Sequence, residues 1–221
     1  GCASGELMLG DLETGETAKG MGLYWRIEKK IREWESNSGS VVGATGALYA
    51  VRRQLIPTVP AGTILDDVYI PMHVIRQGSR VVFDSRARAW DSPDLGGARE
   101  FGRKVRTLSG NYQLLQMCPW LLGRQNPLRF EFVSHKLLRL AAPFALLTAL
   151  ISSLFVRASI YRVAFLLQAA FYALSLLGMV RLKRGVVARM ADAAFTFVAL
   201  NTAALVAFGR FVRGRKIEWG H

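Results

Sequence analysis

Cysteine, histidine and, late in the chain, acidic residues are scarce in this 221-residue sequence. The two cysteines, Cys2 and Cys118, are far apart and the three histidines are scattered, so neither a disulfide framework nor a zinc site is predicted. This cysteine usage favours a reducing compartment for residues 1–135. The chain begins Gly-Cys-Ala, without a charged segment followed by a short apolar one, so no signal peptide is expected.

Acidic residues are nearly missing from the second part of the chain. Residues 1–135 carry 17 Lys and Arg against 14 Asp and Glu, whereas residues 136–221 carry 12 against 2. The excess of positive charge therefore belongs to the most apolar part of the sequence. Cations that flank long apolar runs are typical of membrane anchoring. A nucleic-acid reader would instead place them along a polar face, so no nucleic-acid partner is expected.

Three long apolar runs follow residue 136, over about residues 137–156, 160–180 and 186–208. Each is close to the roughly 20 helical residues that cross a bilayer core of about 30 Å. Soluble core helices of this length normally keep a polar stripe, so we predict transmembrane helices over residues 136–210 rather than a buried bundle. Basic residues before the first run and between the second and third favour a cytoplasmic residue 1–135 region. Three crossings would then leave the basic tail, residues 211–221, outside, against the same rule.

Residues 1–135 alternate strand and helix patterns. Strands are predicted over residues 2–9 and 80–87, and a polar, Gly-rich turn over residues 11–20. Helices are predicted over residues 21–36, from Asp66 or Asp67 to Gly78, and over 99–117. The first of these helices has one apolar stripe, formed by Leu23, Ile27, Ile31 and Trp34. Two strands are too few for a complete open sheet, so we expect the second half of a layered α/β domain.

Three segments are candidates for chemistry, and each also has a structural interpretation. The adjacent carboxylates Asp66 and Asp67 favour a helix N-cap followed by a first-turn acid over a catalytic base, on local grounds alone. The small-residue segment 43–47 suits a tight turn as well as a close approach to a ligand, and no P-loop sequence follows it. A basic cluster over residues 103–106 suits a solvated helix face next to an anionic membrane.

The order of these segments resembles the C-terminal half of a membrane-bound family 2 glycosyltransferase, the group that includes cellulose, chitin and hyaluronan synthases. The resemblance covers nearly all of the chain. Gly43, Gly46 and Arg52 match the G-x-x-G-x-x-x-x-x-R segment that lines the acceptor site in that family. Asp66 and Asp67 match the acidic pair that supplies the catalytic base, where the second residue is usually the base.

The third motif of the family, Q-x-x-R-W, is matched with two departures by the segment Arg103-Lys104-Val105-Arg106-Thr107. Arg103 stands where the family has Gln, and Thr107 stands where it has Trp. Because the Trp is associated with processive polymerisation, the departure puts processivity in doubt. The segment Gly-Arg-Lys-Ile-Glu-Trp in the tail also resembles the sequence that follows the last membrane helix of such proteins.

The resemblance implies a partial GT-A glycosyltransferase domain over residues 1–135, with interfacial helices, followed by the transmembrane helices. It implies transfer from a nucleotide-sugar donor to a glycan or lipid-linked acceptor, at the inner or plasma membrane, with the catalytic domain cytoplasmic. A divalent cation, Mg²⁺ or Mn²⁺, is expected in the full-length protein, but its Asp-x-Asp ligands are absent from this chain. The segment Gly1–Glu6 resembles the strand after that motif, so this chain is expected to be a fragment that is inactive by itself.

The resemblance also gives roles to individual residues. Asp67 would be the general base, and Asp66 would cap the helix or orient the site. Arg106, and less directly Arg103, would neutralise the leaving nucleotide diphosphate, while Trp90 would stack on a sugar. Two alternatives stay open at this point, a non-catalytic membrane-anchored partner protein and a transporter subunit, and the latter would carry polar residues deep in its helices.

Overall fold

The computed structural model describes residues 1–10, 23–91, 97–156, 158–180 and 185–214. The turn predicted over residues 11–20, most of the segment between the second and third apolar runs, and most of the basic tail lie outside these residues. The described residues divide into two compact units. Residues 1–100 and 110–133 form one, here called the sheet unit; residues 101–109 and those from 134 onward form the other, here called the helical unit.

A three-stranded sheet is the centre of the sheet unit. Its strands are β1 (Cys2–Leu9), β2 (Tyr49–Val51) and β3 (Val81–Asp91), in the order β2-β1-β3. β1 pairs antiparallel with β2 and parallel with β3. The predicted strands over residues 2–9 and 80–87 are confirmed, although β3 is longer than expected. β2 was not predicted because its three residues are too few to show an alternating pattern.

The parallel pairing of β1 with β3 is interrupted by a bulge. Ser4 pairs with Phe83, but two residues later Glu6 pairs with Arg88, so β3 carries the extra residues. A side chain on Gly5 would meet the Ala87 carbonyl oxygen at 2.7 Å, so the strands approach closely here. Bulges redirect side chains next to functional sites in many sheets. In this sheet the bulge lies beside Glu6, a buried acid.

Helix α1 (Leu23–Ser38) packs on β3, and its C-terminal end is fastened to the start of that strand. The Phe83 amide donates to Ser36 Oγ at 2.9 Å, and the Arg80 guanidinium donates to the Ser36 carbonyl oxygen at 2.8 Å. Two members of the predicted apolar stripe of this helix are exposed, Ile27 by 48% and Trp34 by 61%. Polar side chains of α1 instead make its inward contacts, since Lys29 pairs with Glu6 of β1 and Arg32 donates to Thr45.

Helix α2 (Asp66–Arg76) begins and ends as the sequence predicts, and Gly78 has the positive φ of 79° typical of a residue just past a helix. α2 is buried along most of its length, and helix α3 (Gly97–Met117) packs against the segment before it. Gln113 of α3 accepts from the Ile64 amide and donates to the Gly62 carbonyl oxygen, both at 2.9 Å. These contacts fix the chain as it enters α2.

Short helical pieces follow α3 along the chain. A 3₁₀ turn, Pro119–Leu122, comes directly after α3. A separate 3₁₀ turn, Arg53–Leu55, lies earlier in the chain, after β2. Helix α4 (Arg129–Phe132), a π-helical turn (Val133–Leu137) and helix α5 (Leu138–Phe155) then form one helical stretch of 27 residues.

Three helical stretches, Arg129–Phe155, α6 (Ser159–Met179) and α7 (Val186–Val212), are long and apolar enough to cross a membrane. The three predicted apolar helices are therefore present among the described residues, and the third is longer than expected. In the helical unit α6 and α7 approach closely, because a side chain on Gly178 would lie 2.4 Å from the Ala191 carbonyl oxygen. Gln168, midway along α6, donates to the Leu146 carbonyl oxygen and to Tyr172 Oη, so this polar residue joins α5 to α6.

Candidate active site

The two carboxylates singled out in the sequence lie in the first turn of α2. Asp66 is exposed and Asp67 is half-buried. The predicted N-cap role of Asp66 is wrong, since Leu65 occupies the N-cap position without a side-chain capping bond and Asp66 is already the first helical residue. Both acids still lie where the helix dipole favours negative charge.

The segment 43–46, here called the glycine loop, packs directly on Asp67. Gly43 has a φ of 96°, a left-handed conformation that glycine adopts without strain. A side chain on Gly46 would stand 3.1 Å from Asp67 Oδ2, so the missing Cβ leaves room for the carboxylate. The structure therefore brings Gly43 and Gly46 next to Asp67, and their role in binding an acceptor stays a prediction.

A proline in α2 explains why the glycine loop docks at this position. Pro71 lies four residues after Asp67 and has no amide hydrogen, so the helix cannot satisfy the Asp67 carbonyl oxygen in the usual way. The Ala44 amide donates to that oxygen at 2.7 Å. The helix thus exposes an acceptor that the glycine loop occupies, and this bond holds Asp67 beside the loop.

Two further contacts hold the glycine loop at Thr45. The Thr45 amide donates to Ser4 Oγ of β1 at 2.8 Å, and Arg32 Nη1 of α1 donates to Thr45 Oγ1 at 2.8 Å. Arg32 also lies 3.8 Å from Glu28, one turn earlier on the same helix. Elements from β1, α1 and α2 therefore converge on four loop residues. Such convergence preorganises a site more rigidly than a free loop does.

A pocket of about 190 Å³ opens next to the Asp67 side chain. It is lined by Leu7, Glu28, Lys29, Arg32, Ala44, Thr45, Gly46, Asp67 and Phe83. Its lining combines an apolar strand surface, from Leu7 and Phe83, with carboxylate, cationic and hydroxyl groups. This combination suits a ligand that has both carbon–hydrogen surface and hydroxyl groups.

The neighbouring Glu6 is a buried acid held by two cations. Its side chain is 6% exposed, with Lys29 Nζ at 2.8 Å from Oε1 and Arg88 Nε at 3.6 Å from Oε2. A carboxylate that is removed from water needs such partners to stay charged. Because Lys29 also lines the pocket, the ion pair connects the pocket wall to the centre of the sheet.

The charges of the acidic pair act electrostatically on Tyr49, the first residue of β2. Burial, and then the negative charges of Asp66 and Asp67, raise the pKa of the Tyr49 phenol above its usual value. We expect Asp67→Asn to lower this pKa, because removing a nearby negative charge makes the phenolate less unfavourable.

The measurement is an NMR titration of protein labelled with ¹³C at tyrosine Cζ, with Tyr49 assigned from a Tyr49→Phe variant. Asp84→Asn is a suitable control, because Asp84 pairs with exposed Arg86 and its charge is not among the causes of the Tyr49 shift. An unchanged Tyr49 titration in Asp67→Asn would show that the two side chains are farther apart than described.

The other predicted site residues are not part of this pocket. Arg52 is exposed at the end of β2, and Trp90 is half-buried on β3 opposite Met8. Arg103 is exposed and Arg106 is half-buried on the part of α3 that belongs to the helical unit. Their predicted contacts with an acceptor, a sugar or a pyrophosphate therefore stay predictions.

Within the part of the chain that the structure describes, no group of three or more His, Cys, Asp or Glu side chains converges as a metal site. The described residues thus do not themselves provide a cage for the expected Mg²⁺ or Mn²⁺. That cation stays a prediction for the donor-binding part of the protein, and no step below depends on it.

Sequence reasoning missed the residues that support the site, namely Ser4, Glu6, Glu28, Lys29, Arg32, Thr45 and Pro71. Most of them carry no local signal, because their roles depend on contacts between residues far apart in the chain. Pro71 is the exception. Its spacing of four from Asp67 predicts an unsatisfied carbonyl oxygen on the acidic residue as soon as the helix is assigned.

Comparisons with known proteins add no family assignment. No protein-family model matches the chain, and no curated protein matches it. Function is therefore argued from the residues and the geometry of the site.

Proposed function

We propose that this chain belongs to an inverting glycosyltransferase of the membrane-bound family 2 type. In this proposal the sheet unit is part of a GT-A domain on the cytoplasmic side of the cell membrane, anchored by the three apolar helices. One observation is the main support. The Asp67 carboxylate is held against a glycine loop, at the wall of a pocket with apolar, charged and hydroxyl-bearing lining groups.

The chemistry follows from the position of that carboxylate. An acceptor hydroxyl in the pocket donates its proton to Asp67 while its oxygen attacks the anomeric carbon of the donor sugar. The bond from that carbon to the nucleotide diphosphate breaks as the new glycosidic bond forms, so a single displacement inverts the anomeric configuration. The leaving group takes the electron pair of the broken bond, and the proton stays on Asp67 until it is lost to water.

The surrounding residues have supporting roles in this scheme. Gly46 keeps the space beside the Asp67 carboxylate free of a side chain, so that the acceptor approaches it closely, while Gly43 lets the loop backbone lie against Val68 and the Asp67 carbonyl oxygen. Asp66, exposed beside it, orients the site rather than reacting. Arg106 and Arg103 are proposed to neutralise the departing diphosphate, and Trp90 to stack on a sugar ring.

The direct test is sugar transfer by membranes from cells that express the native full-length protein. We expect radiolabel from one member of a panel of nucleotide sugars to enter a glycan or lipid-linked product, with release of the nucleotide diphosphate. Membranes that contain an equal amount of an Asp67→Asn variant are the matched control. A well-folded, membrane-inserted protein that gives no incorporation and no diphosphate release with any donor would favour a non-catalytic partner protein or a transporter subunit.

A further inference from the structure

The two cations that line the pocket beside Asp67 each have an acidic partner. Lys29 Nζ lies 2.8 Å from Glu6 Oε1, and Arg32 Nη2 lies 3.8 Å from Glu28 Oε1. Glu28 and Asp67 add two carboxylates to the same lining. The described lining of the pocket therefore has no surplus of positive charge. A ligand that carries a negative charge of its own would lose its hydration here without gaining an uncompensated cation.

The gap between Glu28 and Arg32 has the dimensions of one bridging hydroxyl group. The separation of 3.8 Å is too long for a hydrogen bond between Nη2 and Oε1. A hydroxyl oxygen at about 2.8 Å from both atoms would accept from Arg32 and donate to Glu28. A carboxylate oxygen has no proton to donate, so at the same place it would meet the Glu28 carboxylate as a like charge. The pair thus distinguishes a hydroxyl group from an acidic group.

Arg32 is held in place for such a contact by the glycine loop. Its Nη1 atom donates to Thr45 Oγ1 at 2.8 Å, and because the guanidinium is planar this bond also restricts Nη2. The next loop residue, Gly46, lies against the Asp67 carboxylate. Two consecutive loop residues therefore connect the Glu28–Arg32 pair to the proposed base. A ligand bound at the pair is positioned relative to Asp67 by a preorganised segment.

The size and the apolar part of the pocket suit a single sugar ring. Its volume of about 190 Å³ is below the roughly 300–1,000 Å³ of clefts that hold drug-sized ligands. The half-buried side chains of Leu7 on β1 and Phe83 on β3 form its apolar surface. A sugar ring has carbon–hydrogen surface for such a wall and hydroxyl groups at its edge for the polar groups opposite.

We propose that this pocket selects a neutral sugar residue of the acceptor, one hydroxyl group of which bridges Glu28 and Arg32, and that it excludes uronic acids and phosphorylated sugars. The inference rests on the proposed function, which makes the acceptor the ligand of this pocket. Glu28 and Arg32 are then specificity-determining residues, because they hold a hydroxyl group other than the one that reacts at Asp67.

Binding without turnover tests this choice of ligand. The native full-length protein, in nanodiscs of uncharged phosphatidylcholine, is titrated with pairs of methyl glycosides that differ only in an alcohol or a carboxylate at the sixth carbon. The probes are methyl β-D-glucopyranoside and its uronate, with the corresponding galactose and mannose pairs, and saturation-transfer NMR gives each dissociation constant. We expect the neutral member of at least one pair to bind at least about tenfold more tightly, because the uronate meets a like charge. Equal or tighter binding of the uronate in every pair, or no binding by any pair, would overturn the proposal.

Glu28→Gln tests the assignment to this pair of residues. We expect the uronate to bind more tightly and its disadvantage to fall by about tenfold, because a glutamine amide donates to a carboxylate and the Arg32 charge loses its counter-ion. Glu33→Gln is the matched control. Glu33 lies on the same helix and pairs with Lys30 at 3.6 Å, but it is not among the residues that line the pocket. The same preference for the neutral sugar in Glu28→Gln and in the wild-type protein would contradict the proposal.

These outcomes separate the ligand class from the proposed function. Neutral sugars that bind with the expected preference, to a protein that transfers no sugar from any donor, would support the selectivity of the pocket and contradict the enzymatic activity. Transfer that depends on Asp67 and uses a uronate acceptor as well as its neutral counterpart would support the activity and overturn the selectivity.

Discussion

Replacing Asp67 by Asn is expected to lower the turnover number for sugar transfer by about 10³-fold, because a positioned general base contributes about 10²–10⁴-fold. Asn has nearly the same shape and fits beside Gly46, so the glycine loop and the pocket should stay intact. The Michaelis constant for the donor and the amount of protein in the membrane should therefore change little. Initial rates with radiolabelled donor, at equal protein levels, measure the effect.

Asp66→Asn is the matched control for this prediction. Asp66 has the same chemistry and is adjacent in sequence, but it is exposed and does not line the pocket. We expect a loss of turnover well below that of Asp67→Asn. Equal losses of turnover in the two variants would show that turnover depends on the combined charge of the pair. Retained turnover in Asp67→Asn would remove Asp67 from the role of base.

Lys29→Met is expected to lower the free energy of unfolding of the sheet unit by about 3 kcal/mol, the lower end of the range for breaking a buried ion pair. Its partner Glu6 is 6% exposed on the side chain, and the remaining cation, Arg88, lies at 3.6 Å. Glu6 would thus keep a buried charge with one remaining partner. Urea unfolding in a mild detergent, followed by tryptophan fluorescence, gives the change.

The next residue along α1 provides the control. Lys30 pairs with Glu33 at 3.6 Å, but its side chain is 60% exposed, so Lys30→Met should cost less than about 1 kcal/mol. In a Glu6→Gln background, Lys29→Met should lower the free energy of unfolding much less, because no buried carboxylate is left without its lysine. Equal destabilisation by the two lysine variants would show that Glu6 is better hydrated than its burial indicates.

The elements with a long, regular pattern were predictable from the sequence. β1, α2, α3 and the three apolar helices all lie where their hydrophobic patterns and the acidic start of α2 place them. The short strand β2 was missed because its identity depends on pairing with β1. The apolar stripe of α1 gave the helix correctly but not its orientation. Its polar side, with Glu28 and Arg32, is the side that lines the pocket, so the contacts of α1 were decided by tertiary structure and not by periodicity.

For the candidate site, the sequence indicated which residues come together but not the contacts that hold them. Motif order brought Asp67, Gly43 and Gly46 together in advance, and the structure places these three in contact. It did not give the N-cap, since Leu65 takes that position. Nor did it give the contacts from Ser4 and Arg32 to Thr45, which join residues 41 and 13 positions apart. Contacts of this kind depend on how the strands and helices are packed, and a single sequence has no local signal for them.

The anomeric configuration of the product is the most direct test of the central claim, that Asp67 acts as base in a single displacement. The full-length protein is supplied with an α-linked nucleotide sugar. The one-bond coupling constant between the anomeric carbon and its proton in the new linkage is then measured by NMR. The account predicts a β-linked product, formed by the wild-type protein and lost in Asp67→Asn. An α-linked product would contradict it, because retention requires a different mechanism and a different role for the carboxylate held beside Gly46.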